Sequence, residues 1–470
     1  MKSDAQSHLS AVRLSKPKRV QLEHSSGSRD RVPGMQKAAS QADNERHIRK
    51  GNTELDLSRT VIMARQPFEC RWGILGAGGI SEKFVRDLLI DPQTRQVSDI
   101  HHRVVAIGSR SVAKAVDFIS RIGGLEAHSP KAYGSYEDLV SEPNLDVIYV
   151  GTPHSSHFSD VMLCLGNKKH VLCEKPMSVN AAQARELCRL AAEQECFLME
   201  AVWTRFLPIT HSFQKLIASG VIGEVQRVDS DLSVDFSPDS LDPDHRLVNS
   251  ELAGGALLDL GPYPWTMLAL TLLHQNIKPE SSSFHDEKAA TPAPINLPIP
   301  KISASGTMYK HPNANLSSYP VDGSVIAVLE FPTPSGGQAQ GLLISSMFQN
   351  TNQDRAVTIY GTKGRIRIPS PACCPHEFGV KLYPDKITEG ASISSEEKDR
   401  QHREVIHSFE IPGNARGYMW EADEVARSIA SNTLESKRMP HSESILMMEV
   451  FDEIRRQIGL KYPNAIQSIS

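Results

Sequence analysis

Three side chains of complementary chemistry lie downstream of a glycine-rich turn in this 470-residue chain. Lys175 stands in Cys-Glu-Lys-Pro, and Asp259 and Tyr263 stand in Asp-Leu-Gly-Pro-Tyr. A free phenol has a pKa near about 10, and a neighbouring ammonium or a helix N-terminus favours its phenolate form. Such a set can take a proton from a substrate hydroxyl while a hydride leaves the same carbon. The residues therefore indicate hydride and proton transfer from a hydroxyl, with Lys175 and Tyr263 as candidate catalytic residues and Asp259 about one helical turn from the tyrosine. A tyrosine that only packs within its helix is the structural alternative.

The glycine-rich turn is Gly76-Ala-Gly-Gly-Ile-Ser81, which follows an apolar strand and opens a helix. The first glycine permits a tight turn, and Gly78 lets the backbone approach a pyrophosphate at the positive end of the helix. A strand–helix turn without a ligand is the structural alternative. The strand–helix context favours a dinucleotide site.

The residues at the end of the second predicted strand, Gly108-Ser109-Arg110, indicate which cofactor the site prefers. An NAD site usually has an acidic residue there, which would repel a 2′-phosphate. Arginine can hold a phosphate with two hydrogen bonds, and serine can donate a third. NADP is therefore the predicted cofactor, unless Arg110 is only a solvated surface residue.

Two histidines follow the predicted strand at 146–150, in Thr152-Pro-His154-Ser-Ser-His157. They would lie in a loop at the carboxyl edge of a parallel sheet, where ligands bind. His154 is a candidate for substrate contact, whereas His157 fits a buried structural role. No third ligand with suitable spacing accompanies them, so we predict no metal site.

The pattern of predicted strands and helices changes near residue 200. Strands and helices alternate between residues 66 and 200, which predicts a doubly wound parallel sheet. Beyond that point, alternating stretches such as Ser-Val-Ile-Ala-Val-Leu-Glu-Phe at 324–331 predict a half-exposed, mostly antiparallel sheet. The predicted fold is therefore α/β with two domains, at 66–200 and 201–470. Residues 1–65 are predicted to be a disordered extension, and residues 275–320 a loop insertion.

Composition narrows the class of protein. The chain is 40% hydrophobic and 23% charged, with a net charge of −4, which is too small to indicate a nucleic-acid partner. Its apolar runs are too short to span a bilayer. Its seven cysteines form no Cys-x-x-Cys pair, so neither a disulfide framework nor a zinc site is indicated. A reducing, cytoplasmic compartment is the simplest expectation.

Taken together, these motifs resemble the Gfo/Idh/MocA oxidoreductase family over residues 71–463. Glu200-Ala-Val-Trp203 and the segment 439–463 are similar to a narrower branch. That branch contains the dimeric dihydrodiol dehydrogenases and the NADP-dependent D-xylose 1-dehydrogenases.

The resemblance implies an N-terminal Rossmann domain and a C-terminal α/β domain whose open sheet pairs two subunits in a homodimer. Lys175 would lie beside the nicotinamide, Tyr263 would be the acid/base and Asp259 would hold the geometry. The implied substrate-pocket residues are His154, Trp203 and Arg246. The implied cofactor contacts are Gly76, Gly78, Gly79, Ile80, Ser109, Arg110, Thr152, Pro153, Glu174 and Lys175.

The expected reaction is oxidation of a hydroxyl of a cyclic sugar or polyol with NADP, with D-xylose as the leading substrate and a lactone as product. Oxidation of a trans-dihydrodiol by the same groups is an alternative within enzymes. A non-catalytic, NADP-sensing regulatory protein on the same scaffold is the alternative from another class.

Overall fold

The structure is a computed structural model that describes residues 66–276, 299–315, 317–384 and 403–469. The predicted extension at 1–65 and the central part of the predicted insertion, at 277–298, lie outside the described residues.

Six parallel strands form the first sheet, in the order β3-β2-β1-β4-β5-β6. Their bounds are Phe68–Leu75 (β1), Ile100–Gly108 (β2), Lys131–Tyr133 (β3), Val147–Val150 (β4), His170–Glu174 (β5) and Leu198–Ala201 (β6). This strand order is that of the doubly wound dinucleotide-binding fold. The chain adds strands towards one edge of the sheet up to β3 and towards the other edge from β4, so the switch point lies between β1 and β4. The predicted α/β class is confirmed.

Five helices connect these strands: Gly79–Leu88 (α1), Val112–Arg121 (α2), Tyr136–Val140 (α3), His154–Gly166 (α4) and Ala181–Glu193 (α5). Local sequence explains where several begin, because Ser111, Ser135 and Asn180 accept hydrogen bonds from N–H groups of the first turns of α2, α3 and α5. In α1, the apolar spacing of Phe84, Val85 and Leu88 buries one face against the sheet.

Eight strands form the second sheet, in the order β14-β13-β12-β11-β7-β10-β9-β8. Their bounds are Val225–Ser233 (β7), Lys301–Tyr309 (β8), Val321–Pro332 (β9), Gln338–Ser346 (β10), Val357–Gly361 (β11), Gly364–Ile368 (β12), Glu377–Leu382 (β13) and Val405–Ser408 (β14). Neighbouring strands run antiparallel apart from β7 and β10, which are parallel. The predicted mostly antiparallel sheet is confirmed.

The remaining α-helices of the described residues are Pro208–Ala218 (α6), Ala256–Leu260 (α7), Pro262–Leu268 (α8), Tyr418–Ala430 (α9), His441–Ile458 (α10) and Asn464–Gln467 (α11). α7 and α8 pack against β10, and α10 packs against the edge strand β8. α10 ends where Gly459 adopts a positive φ of 73°, a conformation that glycine accepts without strain. α9 instead returns to the first sheet and packs against α1 and β2.

Two expectations about local structure are wrong. The predicted loop at 275–320 contains β8, a nine-residue edge strand paired along its length with β9. Its Ser, Ala, Gly and Thr residues alternate too weakly in hydrophobicity to announce a strand. His154 and His157 lie in α4 rather than in a loop, because the helix begins directly after Pro153, a residue suited to a helix start.

Candidate active site

Four chain segments that carry predicted site residues meet at the carboxyl edge of the first sheet. The register aligns Leu75 of β1 with Gly108 of β2 and with Val150 of β4, and Val150 with Cys173 of β5. Because the strands are parallel, the segments that follow them emerge at the same edge. The glycine turn, Ser109-Arg110, Thr152-Pro153-His154 and Glu174-Lys175 are thereby brought together.

The glycine turn forms a cradle of open backbone. Gly76 has a φ of +97°, and a Cβ there would lie 3.1 Å from the carbonyl oxygen of Gly151. A Cβ added to Gly79 would meet nothing within 4 Å, and no side chain caps the N-terminus of α1. The turn thus offers uncapped N–H groups and space beside them, which suits a pyrophosphate. Ile80 lies in the first turn of α1, and buried Ser81 packs beside Gly151.

Ser109 and Arg110 lie between the end of β2 and the start of α2. The Ser109 N–H donates to the carbonyl of Tyr133 at 3.1 Å, and its side chain is buried, whereas Arg110 is exposed. Ser111 caps α2 through its hydroxyl, at 3.4 Å from the N–H of Lys114. A cationic side chain beside a helix N-terminus is an arrangement that can accommodate a 2′-phosphate.

Asp259, near the end of α7, connects three of the predicted site residues. The Arg246 guanidinium lies 2.8 Å from its Oδ1, and the Lys175 ammonium lies 3.5 Å from the same atom. Lys175 also donates a hydrogen bond of 2.6 Å to the backbone carbonyl of Asp259. His154 Nε2 lies 3.7 Å from Oδ1. The site therefore brings Lys175, Asp259, Arg246 and His154 together.

The charge state of this group follows from burial and neighbouring charges. Burial opposes ionisation of Asp259, but the positive charges of Arg246 and Lys175 outweigh it and hold the pKa of that carboxyl well below its usual value. Burial lowers the pKa of His154 well below its ordinary value, in spite of the nearby carboxylate. The group is therefore an ionised carboxylate facing two cations and a neutral imidazole.

Tyr263 begins the turn that follows, in α8, and its surroundings differ from the expected ones. The Lys175 ammonium lies over the ring, 4.9 Å from its centroid, and the phenol oxygen accepts a 3.1 Å hydrogen bond from Trp203 Nε1. Burial, with the negative charges of Cys373 and Glu174, raises the pKa of Tyr263 well above its ordinary value. The expectation that Lys175 lowers this pKa is wrong in this arrangement, because desolvation outweighs the ammonium, which faces the ring rather than the oxygen.

The backbone around Lys175 is fixed from two sides. Glu174 is buried and accepts a 2.7 Å hydrogen bond from the hydroxyl of Tyr149. His157 is fully buried, with its two ring nitrogens 2.7 Å from the carbonyl of Pro176 and 2.9 Å from that of Thr152. His157 thus joins the segment after β4 to the segment after β5, consistent with the structural role predicted for it.

The sequence reasoning missed several residues around Trp203 and Tyr263. Tyr418, the first residue of α9, stacks on the Trp203 ring with centroids 4.4 Å apart. Thr204 donates a 2.5 Å hydrogen bond to the carbonyl of Cys373, a residue that packs beside Tyr263. Aromatic residues at helix starts usually pack in cores, so Tyr418 carried no functional signal. The adjacency of Cys373 and Cys374 was visible but fitted no motif.

The part of the chain that the structure describes contains no group of three or more His, Cys, Asp or Glu residues placed to hold a metal ion. None of its helices has the length and apolar character needed to cross a membrane.

Known proteins with related sequences cover the same region. A family model described as "Oxidoreductase family, NAD-binding Rossmann fold" matches residues 70–202, and a GFO/IDH/MocA C-terminal domain model matches residues 210–367. D-xylose 1-dehydrogenase (NADP(+)) of Hypocrea jecorina is 38% identical over 411 residues, which cover 85% of this chain and 95% of that protein. Trans-1,2-dihydrobenzene-1,2-diol dehydrogenase of Sus scrofa is 32% identical over 406 residues, covering 84% and 98%.

Solved structures support the fold. An NAD binding oxidoreductase from Klebsiella pneumoniae superposes with a TM-score of 0.63 at 19% identity, covering 83% of this chain and 97% of that one. Levoglucosan dehydrogenase, in complex with NADH and levoglucosan, gives a TM-score of 0.63 at 16% identity, with the same coverage. At these identities the likeness concerns the fold alone. The two family models and the full-length relatives together show that this chain belongs to the Gfo/Idh/MocA oxidoreductase family.

Proposed function

We propose that this protein is an NADP-dependent dehydrogenase that oxidises a hydroxyl of a cyclic sugar or polyol, with D-xylose as substrate and D-xylonolactone as product. The observation that carries the proposal is the meeting of Lys175, Asp259 and Tyr263 beside the glycine cradle. The 38% identical relative named as an NADP-dependent D-xylose 1-dehydrogenase supports the choice of substrate and cofactor.

The cofactor fits the residues present. The turn from Gly76 to Ile80 would hold the pyrophosphate, and Ser109 with Arg110 would hold the 2′-phosphate. Thr152, Pro153 and Glu174 border the same edge. When bound, NADP supplies the acceptor for the hydride that leaves the substrate carbon.

Residues of this chain transfer the proton of the reacting hydroxyl. Tyr263 exchanges the proton of the reacting hydroxyl, while the Trp203 N–H fixes the position of the phenol oxygen. Lys175 is held by the Asp259 carbonyl and presents its ammonium to the tyrosine ring. Arg246 and His154 line the same carboxylate and are the proposed contacts for the other substrate hydroxyls.

Oxidation of a trans-dihydrodiol is a second candidate, and one feature of the site favours it. Trp203 and Tyr418 form a stacked aromatic pair beside Tyr263. Tyr263 also packs against the small apolar cluster of Leu232, Ala256 and Leu260, where Val234 and Phe236 pack as well. Aromatic and apolar side chains around Tyr263 suit a flat, apolar carbon ring. Relatives in Sus scrofa and Homo sapiens carry the corresponding enzyme name at 32% identity.

A substrate screen separates these functions. Purified protein would be incubated with D-xylose, other pentoses and hexoses, and trans-1,2-dihydrobenzene-1,2-diol, each with NADP and with NAD, and reduced nucleotide would be measured. The proposal expects the highest kcat/KM with D-xylose and NADP. Higher kcat/KM with the dihydrodiol would replace D-xylose as the substrate. Binding of NADPH without oxidation of any of these compounds would instead support the NADP-sensing alternative.

The oligomeric state and the cellular location are also part of the proposed function. We propose a homodimer formed through the outer face of the second sheet, where exposed Ile326 lies opposite Ile344 on the neighbouring strand. A cytoplasmic location is also proposed, since all seven cysteines are free thiols, as in a reducing compartment.

A further inference from the structure

Two adjacent thiols, Cys373 and Cys374, lie beside the proposed active site, and the proposed chemistry uses neither. They stand in the connection between β12 and β13, where the Cys374 N–H donates to the carbonyl of Pro371 at 3.2 Å. Neighbouring side chains of an extended chain point to opposite sides. This turn instead brings the sulfur atoms to 3.9 Å from each other, and both side chains remain partly exposed.

The dithiol is held at the substrate end of the site. The Cys373 carbonyl is tied to the hydroxyl of Thr204, which directly follows Trp203. Cys373 and Tyr263 pack against the same cluster of Leu232, Ala256 and Leu260. A group bound to the two sulfurs would therefore lie beside the apolar cluster that Tyr263 also contacts.

The two thiols differ in the direction in which their surroundings shift the pKa, and this difference sets the order in which they react. The hydrogen bond between the two thiols and the positive charges of Lys175 and Arg416 lower the pKa of the Cys373 thiol, against the effect of burial. The pKa of the Cys374 thiol is raised well above its ordinary value by its contact with Cys373 and by burial. Because the thiolate is the reactive form, Cys373 reacts first and Cys374 follows.

The spacing indicates a ligand that takes two sulfurs at once. Bonds of about 2.3 Å from two sulfurs to one soft centre, at angles of roughly 90–110°, place the sulfurs about 3.2–3.8 Å apart. The observed 3.9 Å lies just above this range, so a small rotation of the two side chains brings both sulfurs to one centre. The described residues supply no third metal-ligating side chain to form a closed ion site. The matching ligand is one that needs only two protein thiols, which is a soft trivalent metalloid carrying one organic group.

We propose that Cys373 and Cys374 form a bidentate binding site for monosubstituted trivalent arsenicals, and that occupation of this site closes the substrate pocket. In the reaction, an R–As(OH)₂ group condenses with the two S–H groups. Two As–S bonds form, two As–O bonds break, and the thiol protons leave in two molecules of water. No oxidant or reductant is consumed. The glycine cradle lies on other segments and stays available to the nucleotide.

The test uses the full chain and phenylarsine oxide, with intact-mass spectrometry as the main measurement. One phenylarsenic group is expected per chain. It should be removed by 2,3-dimercaptopropanol but not by an equal concentration of thiol groups from 2-mercaptoethanol. Cys373→Ser and Cys374→Ser should each lose the adduct on dilution, whereas Cys188→Ser, which removes another partly buried thiol, should keep it.

Two functional measurements complete the test. NADPH binding, followed by fluorescence, should change less than twofold in the adduct, and D-xylose oxidation should fall at least tenfold. The second measurement rests on the proposed function, whereas the mass and NADPH measurements do not, so the two proposals can fail separately. No adduct, an adduct mapped by proteolysis to another cysteine, or one that survives in both single variants would overturn the site. An adduct that displaces NADPH would overturn its placement at the substrate end.

Discussion

One carboxylate, that of Asp259, organises the charges around the reacting groups. It faces Arg246 at 2.8 Å and Lys175 at 3.5 Å, and its backbone carbonyl holds the same lysine. The cost of burying an ammonium group is offset by an opposite charge close to it. Asp259 supplies that charge, and it also fixes the distance between Lys175 and the tyrosine ring.

At the residue scale, replacement of Tyr263 by phenylalanine should lower kcat by about 10²–10⁴-fold, because the group that exchanges the substrate proton is lost. The ring stays in place over Lys175, so NADPH binding should be retained. Steady-state kinetics and nucleotide fluorescence measure the two quantities. Tyr319→Phe, at an exposed tyrosine, is the matched control. Full turnover by the Tyr263→Phe protein would remove this residue from the mechanism.

The raised pKa of Tyr263 also predicts how turnover depends on pH. Oxidation requires a phenolate to accept the hydroxyl proton, and the phenol is protonated at neutral pH. The kcat for oxidation should therefore rise as pH increases, and the kcat for lactone reduction should fall. Initial rates in both directions between pH 6 and roughly pH 10, bracketing the ordinary phenol pKa, test this. Identical pH profiles in the two directions would contradict the assignment.

The predicted preference for NADP over NAD depends on Arg110. Substitution with alanine should raise the KM for NADP by roughly 10–100-fold, the value of a lost charge-assisted pair of about 1.5–3 kcal/mol. The KM for NAD should change little, because NAD has no 2′-phosphate. Arg121→Ala, at the opposite end of α2, is the control. Equal effects on both nucleotides would mean that Arg110 does not read the phosphate.

At the scale of elements, the short helix α7 depends on a residue from another strand. A helix of five residues has little stability of its own. Asp322, at the start of β9, accepts a 2.6 Å hydrogen bond from the N–H of Leu257 in its first turn. Since α7 carries Asp259, this contact links the second sheet to the position of the proposed catalytic carboxylate.

Asp322 should make stability depend on pH. Burial raises its pKa to about 7, although backbone hydrogen bonds partly offset this effect. In the unfolded chain the pKa is about 3.9, so between these values the folded protein holds a proton that the unfolded chain lacks. The free energy of unfolding should therefore fall as pH rises from about 4 to about 7, by at most about 1.4 kcal/mol per pH unit for this group.

The Asp322→Asn protein should lose this contribution, because its amide keeps an acceptor oxygen and does not titrate. Urea unfolding at pH 5, 6 and 7 would be compared for the two proteins, over the interval in which the linkage acts. Asp117→Asn, at an exposed position of α2, is the control. Parallel curves for the wild-type and Asp322→Asn proteins would contradict the assignment.

The strands of the first sheet could be predicted because β1 and β4 are short buried runs flanked by helices with strong apolar spacing. β8 could not, because its small polar residues become a strand only through pairing with β9 and packing of Ile458 over Gly306. Motif spacing placed Lys175 and Tyr263 near each other. It could not reveal that Lys175 faces the ring and Trp203 holds the oxygen, since those contacts depend on tertiary packing.

At the scale of the whole molecule, the outer face of the second sheet predicts self-association. Ile326 is 51% exposed and pairs across the strands with Ile344, and Val328 pairs with Leu342 in the next outward row. Four apolar side chains are thus grouped on one face, a pattern typical of an interface between like subunits.

Ile326→Asp should place a charge in this patch and shift the protein from dimer to monomer. Sedimentation velocity measures the change, with Val116→Asp as the control because Val116 is equally exposed on α2. A wild-type protein that sediments as a monomer would contradict the proposed homodimer. The domain boundaries near residues 65 and 200 also stay a prediction, and limited proteolysis tests them.

The return of α9 to the first sheet has a consequence for how the protein is made. Asp423 of α9 binds Arg95 at 2.7 Å and His102 at 2.9 Å, with all three side chains almost fully buried. His102 lies 321 residues before Asp423 in the chain. On the ribosome, the nucleotide-binding half therefore emerges long before the carboxylate that neutralises its buried arginine. Its folding cannot be completed until the chain has been translated past Asp423.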